Sequence, residues 1–224
     1  MIAGVDGYKH GWVAAIEVGD GATRVATFGS FSTLLAQKDL CLIVIDIPIG
    51  LLQSGSRMCD QEARKVLGFP RCSSVFPAPI RPMLDAHDWE EACDIRLRIE
   101  GKRCSKQVMG ILPKIREVDQ ELRPELQRRV REGHPEISFA LMNGGKAIGH
   151  RKSAPRGMRE RLRLLCHHFP DVKENLSRIP GARTDLIDAY ALLWTARRVG
   201  GQQAVVLPPH PEIDARGLRA EIVA

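Results

Sequence analysis

Ten residues, IVIDIPIGLL at 43–52, limit the fold more than any other stretch, because they are apolar except for Asp46. The segment is rich in β-branched residues and shows no polar alternation, so it reads as a strand covered on both faces. An ionised carboxylate buried there without a partner costs several kcal/mol. It therefore needs a cation, several hydrogen bonds, or a place at the strand's end. Pro48 and Gly50 favour the end, at the edge where parallel sheets open into clefts. A plain turn-forming aspartate is the competing explanation.

The residues before this run decide where it lies. Ile2–Asp6 reads as a first strand, the Gly7–Gly11 turn leads to a second over Trp12–Val18, and Gly19-Asp20-Gly21 signals a hairpin into a third, Ala22–Phe28. Ser30 or Ser32 caps a short helix reaching Lys38. A right-handed crossover then sets the Asp46 strand parallel to the first and beside it. Asp6 and Asp46 become neighbours at the same end of adjacent strands. Two such carboxylates repel and stay ionised only with a cation between them, and hard divalent ions such as Mg²⁺ take oxygen ligands of this kind.

After this edge, residues 56–131 read as a mostly helical insertion. Ser56 is placed to cap a helix running to Leu67, with Asp60 and Arg64 paired one turn apart. The proline-rich loop 71–82 carries Arg71 and Arg81. Two charged helices follow over 87–104 and 106–131, the second interrupted near Gly110 and Pro113. HPEISFALMNG, 134–144, is expected to be a strand with Glu136, Ser138 and Ala140 on one face. Glu136 then either reaches the cleft or covers the sheet edge. A helix from Pro155 to Phe169 turns Met158, Leu162, Leu165 and Phe169 inward. In the last helix, over 183–198, Thr184 is the expected N-cap. Asp185 and Asp188 project from one face, as partners of the helix dipole or as a further source of oxygen ligands. Ala204–Leu207 is a short extra strand before a proline-rich end.

Charge and cysteine usage narrow the setting. The formal charge is +6, and Lys146–Arg163 holds seven basic residues against one acid, Glu160. Such a stretch follows a phosphate backbone or is a solvated helix face. The six cysteines contain no C-x-x-C, which points to reduced thiols rather than a disulfide framework or zinc site. No run approaches the roughly 18 apolar residues of a membrane span, and Met1 leads directly into a strand, so a cytoplasmic protein without a membrane partner is expected.

Six segments, GVDGYKHGW, VIDIPIGL, RMCDQEAR, SSVFPAPIR, HPEISFALMNG and TDLIDAYALLWTARR, occur in the order seen in one family. In them the chain resembles the uncharacterised domain of unknown function 429, described as predicted nucleases of ribonuclease H-like fold. The resemblance implies acids on the first strand, the fourth strand and a late helix, together binding two divalent ions, Mg²⁺ or Mn²⁺. Here these positions are Asp6, Asp46, and Asp185 or Asp188; the residues themselves favour Asp6, Asp46 and Asp188 as ligands, with Asp185 and Glu136 assisting. The expected fold is α/β, one ribonuclease H-like domain over 1–224. Three antiparallel strands precede parallel ones reached by helical crossovers, and the insertion 56–131 lies between strands four and five. The expected function is metal-dependent hydrolysis of phosphodiester bonds in a nucleic acid, with Lys9, Arg71, Arg81 and Lys152 as phosphate contacts. A non-catalytic module binding nucleic acid or a phosphate ligand is the alternative. A phosphotransferase of the actin and sugar-kinase type would need a second, similar half, for which 224 residues without an internal repeat leave little room. Homodimer formation stays open.

Overall fold

Three consecutive strands, β1 (Ile2–Tyr8), β2 (Gly11–Val18) and β3 (Ala22–Phe28), form an antiparallel meander in a computed structural model that describes residues 1–19 and 21–224. Asp20, central to the expected hairpin, lies outside the described residues; on either side of it Val18 pairs with Ala22. Gly11 has φ 122°, and a Cβ there would stand 2.2 Å from the Phe28 carbonyl oxygen, so the first turn needs glycine. Helix α1 (Phe31–Leu35) opens with Ser30 and Thr33 in a reciprocal capping box.

The apolar run supplies β4 (Leu42–Ile45), wholly buried and parallel to β1, in register from Ile2 opposite Leu42 to Val5 opposite Ile45. A short β5 (Val130–Glu132) adds parallel to β4, giving a mixed sheet in the order β3-β2-β1-β4-β5. Helices cover both faces, and the protein is of mixed α/β class.

Between β4 and β5 lie α2 (Met58–Leu67), α3 (Trp89–Glu100) and α4 (Lys106–Glu121). Ser56 does not cap α2; Arg57 holds the N-cap position, and Asp60 pairs with Arg57 instead of Arg64. Nor is α4 interrupted at Gly110 or Pro113. It buries Leu112, Ile115 and Val118, and this packing outweighs the hydrogen bond that proline removes.

The segment expected as a fifth strand is a helix, α5 (Pro135–Met142), and the strand is the three residues just before it. Pro135 presets the first turn. The apolar positions show no clear helical period because α5 is covered on two sides. Ile137 and Ala140 meet α2 and the C-terminal hairpin, while Phe139 joins the core under the last helix. Next come α6 (Pro155–His168), α7 (Val172–Asn175) and α8 (Arg183–Gly200). Thr184 lies inside α8 and caps nothing; the N-cap is Ala182. The proline-rich end forms β6 (Val206–Ile213) and β7 (Arg219–Val223), a separate antiparallel pair whose register shifts between Leu207 and Glu212, where prolines cannot donate to the ladder.

Alternation along β1 and β4 sorts their side chains. Ala3, Val5, Ile43 and Ile45 face a core shared with α1 and α4, whereas Gly4 and Val44 face α8. At Gly4 the helix comes so close that a Cβ would stand 2.1 Å from both the Ala189 oxygen and the Leu193 nitrogen. Gly4→Ala is therefore expected to push α8 off the sheet and to destabilise the protein by about 1–3 kcal/mol or more. A melting temperature equal to wild type would contradict this seating of α8.

Candidate active site

Asp6 and Asp46 follow Gly4 and Val44 by two residues, so both carboxylates point to the α8 face at the carboxyl edge of the parallel pair. The pairing continues one step past the strand, where the Asp46 amide donates to the Val5 carbonyl at 3.0 Å. Asp6 is buried, and its Oδ1 accepts from the Gly7 amide at 2.7 Å. From α8, Asp188 comes in beneath them, 1 % exposed. Asp185, one turn earlier, lines a cleft of about 500 Å³ with Asp6, Asp46, Tyr8, Lys9 and Lys114. Because α8 starts at Arg183, only Asp185 falls in the first turn. A dipole role fades beyond that turn and does not account for Asp188.

The electrostatics show how crowded these acids are. Burial, then the charge of Asp188, pushes the Asp46 carboxyl from an ordinary 3.8 to about 7. Asp6 is raised well above the carboxylate range by burial and then by Asp46 and Asp188. Asp188 and Asp185 are also raised, in each case chiefly by burial. Lys152 answers them most directly: its Nζ donates to Asp188 Oδ2 at 2.6 Å, while Lys114 also opposes the rise at Asp185. Burial alone would lower the Lys152 pKa, but Asp188, Asp6 and Asp46 raise it overall. The other Asp188 oxygen, Oδ1, is buried without a hydrogen-bond partner. Leaving such an acceptor dry costs about 1–3 kcal/mol, more for a charged group.

Glu136 is close enough for its charge to raise both Asp46 and Asp188, but its own oxygens are occupied. Arg161, fully buried, donates to both of them at 2.7 Å and again to Oε1 at 3.2 Å, and Arg71 adds a fourth contact at 3.0 Å. Arg161 also donates to the carbonyls of His150 and Gly157, on either side of Lys152. Glu136 thereby anchors the loop that delivers Lys152. The four residues expected to contact phosphate separate accordingly. Lys9 lines the cleft, Lys152 is on Asp188, Arg71 is behind Glu136, and Arg81 is bound to Asp119 and Asp214 outside the cleft.

A second buried group holds the chain just past Asp46. Arg57 donates to both Glu132 oxygens at 2.8 Å, to Asp60 at 2.5 Å and to the Ile49 carbonyl at 3.0 Å. Glu132 in turn accepts from the Ile49 amide at 2.6 Å. Lys114 carries no distinguishing signal in the sequence, where it is one lysine in a charged helix. It crosses Gly7, donates to the Gly11 carbonyl at 2.5 Å and lies 4.7 Å from the Trp12 ring centroid. Burial lowers its pKa against the pull of Glu117 and Asp6.

Among the described residues, no three His, Cys, Asp or Glu side chains already stand as a metal-ligand cluster. The donor set nevertheless fits a hard cation, since it offers carboxylate oxygens only, one of them buried and unpartnered. In this structure the Lys152 ammonium supplies the positive charge at Asp188. Lys152→Gln is expected to lower the melting temperature without metal and to enlarge the rise produced by Mn²⁺. An unchanged rise would mean that Lys152 and the ion do not compete.

This is a mixed α/β protein with a carboxylate-lined cleft at the edge of its parallel strands. Residues 4–213 match the family model described as "Protein of unknown function (DUF429)", and the chain belongs to that family. No curated protein and no solved structure matches it. None of the described helices is long and apolar enough to cross a membrane.

Proposed function

We propose that the chain is a metal-dependent nuclease of ribonuclease H-like fold. The observation that carries this reading is the unpartnered Oδ1 of Asp188, buried beside Asp6 and Asp46 on one face of the sheet. The strand order, three antiparallel then two parallel, accords with that fold. Asp6, Asp46 and Asp188, with Asp185 at the rim, would hold Mg²⁺ or Mn²⁺. When bound, such ions acidify a water and stabilise the leaving oxygen of a phosphodiester. Lys9 and Lys114, both at the cleft, would meet the phosphate charge, and Lys152 would do so once released from Asp188. Glu136 and Arg161 keep the Lys152 loop in place, and the Gly7 amide orients Asp6.

The Lys152–Asp188 pair favours one other reading, a module that binds nucleic acid and needs no metal because lysine already supplies the cation. Incubating the protein with labelled DNA, RNA, hybrid and branched substrates separates the two. Cleavage that requires Mg²⁺ or Mn²⁺ and stops with EDTA is expected. Tight binding without cleavage in either metal would favour the module.

A pH dependence follows from the same acids. A carboxyl whose pKa is raised on folding contributes stability that is fully present below its unfolded value, here 3.8. For Asp46 that contribution is lost as pH rises through about 7. The metal-free wild type is therefore expected to lose melting temperature between pH 5 and 8 relative to Asp46→Asn, and saturating Mn²⁺ should remove most of that difference. A metal-free wild type that gains on Asp46→Asn over this interval would reverse the sign and sink the argument.

A further inference from the structure

The insertion has a small core of its own, in which Ile80, Met83, Ala92, Cys93, Cys104 and Val108 are buried together. Within it the sulfurs of Cys93, on α3, and Cys104, just before α4, are 2.8 Å apart. Both are free thiols, and Cys93 also donates to the Cys104 carbonyl at 3.5 Å. A disulfide needs its sulfurs about 2.05 Å apart, so less than 1 Å of approach separates this pair from a bond. We propose that Cys93 and Cys104 are an oxidative modification site. A peroxide converts them to a disulfide that ties α3 to the start of α4 and stiffens the wall of the cleft.

The chemistry balances with hydrogen peroxide as oxidant. Cys104, the less buried of the two, attacks one peroxide oxygen as thiolate; the O–O bond breaks and the departing hydroxide takes up a proton as water. Cys93 sulfur then attacks the sulfenic sulfur, forming the S–S bond as the S–O bond breaks, and its proton leaves with the hydroxyl as a second water. Two thiols have lost two electrons and two protons, and one peroxide has become two waters. Burial and the neighbouring Cys93 hold the Cys104 thiol up at about 11, so thiolate is scarce at neutral pH and the first step is slow. The second step needs no search, because the partner sulfur is already in contact.

The consequence reaches the cleft through α4. That helix begins two residues after Cys104 and brings Gly110, Ile111 and Lys114 to the cleft that contains Asp6 and Asp46. A bridge between positions 93 and 104 closes a short loop across the turn joining α3 to α4, and so removes slack where α4 begins. The inference rests on the thiol pair alone and holds whatever chemistry the cleft performs.

The test treats the full chain, natively folded, with hydrogen peroxide for several hours, blocks remaining thiols with N-ethylmaleimide, and maps cysteines by tandem mass spectrometry. A 93–104 cross-link is expected, lighter by two hydrogens, reversed by dithiothreitol and lost in Cys93→Ser. The oxidised protein should melt roughly 4–8 °C higher, and amides of Val108–Leu112 should exchange several-fold more slowly. Recovery of Cys93 and Cys104 as maleimide adducts while exposed Cys41 is oxidised would overturn the site. A cross-link that leaves both melting and exchange unchanged would overturn its effect on α4.

Discussion

Asp188→Asn is expected to reduce metal-dependent cleavage by more than about a hundredfold while leaving the fold intact. Residues that merely orient a metal ligand typically cost 10–100-fold when changed, so loss of a ligand charge should exceed that range. The substitution keeps the side chain's shape and leaves an oxygen for Lys152, so packing around α8 is preserved. Without metal, the variant should melt at or above wild type. The Asp188 pKa is raised on folding even with Lys152 attached, so its surroundings disfavour the charge that asparagine removes. A variant that melts several degrees lower yet keeps the full Mn²⁺-induced shift would take Asp188 out of the metal site.

The second large effect is structural. Arg57→Met should destabilise the protein by about 3–5 kcal/mol, the usual cost of leaving a buried charge without its partner. That corresponds to a fall of roughly 6–20 °C in a chain of this size. Glu132 and Asp60 would lose their shared cation, and the Ile49 carbonyl would lose its donor. Because Ile49 follows Asp46 by three residues, metal-induced stabilisation should weaken as well. Arg57→Met combined with Glu132→Gln and Asp60→Asn should recover part of the loss, since the buried negative charges go with the positive one. Melting curves of the single and triple variants decide this; a triple variant no better than the single would contradict it.

Asp6 and Asp46 were readable as neighbours because strand order, crossover handedness and period-two alternation all act on a few residues of sequence. Asp188 was readable only together with Asp185, as a pair of acids on one face opening a buried helix, and its depth in α8 needed the true start at Arg183. The helix that carries Glu136 was not legible. Its segment is apolar on two sides, which hides the helical period and imitates a strand. Lys114 and Arg161 carried no local signal, since a lysine or arginine in a charged helix reads as solvated until distant Gly7 or Glu136 is known to face it. The C-terminal pair of strands was obscured by prolines that sit where the ladder breaks.

The proposed divalent-metal site consists of Asp6, Asp46 and Asp188, with Lys152 on Asp188 in the metal-free protein. Anomalous diffraction from crystals grown with Mn²⁺ tests it most directly. The predicted result is a manganese peak ligated by Asp6 and Asp46, with Asp188 Oδ1 turned to it or to its waters and the Lys152 amine moved off Asp188. The contradicting result is Lys152 still on Asp188 at saturating Mn²⁺, with no manganese between the two strand carboxylates.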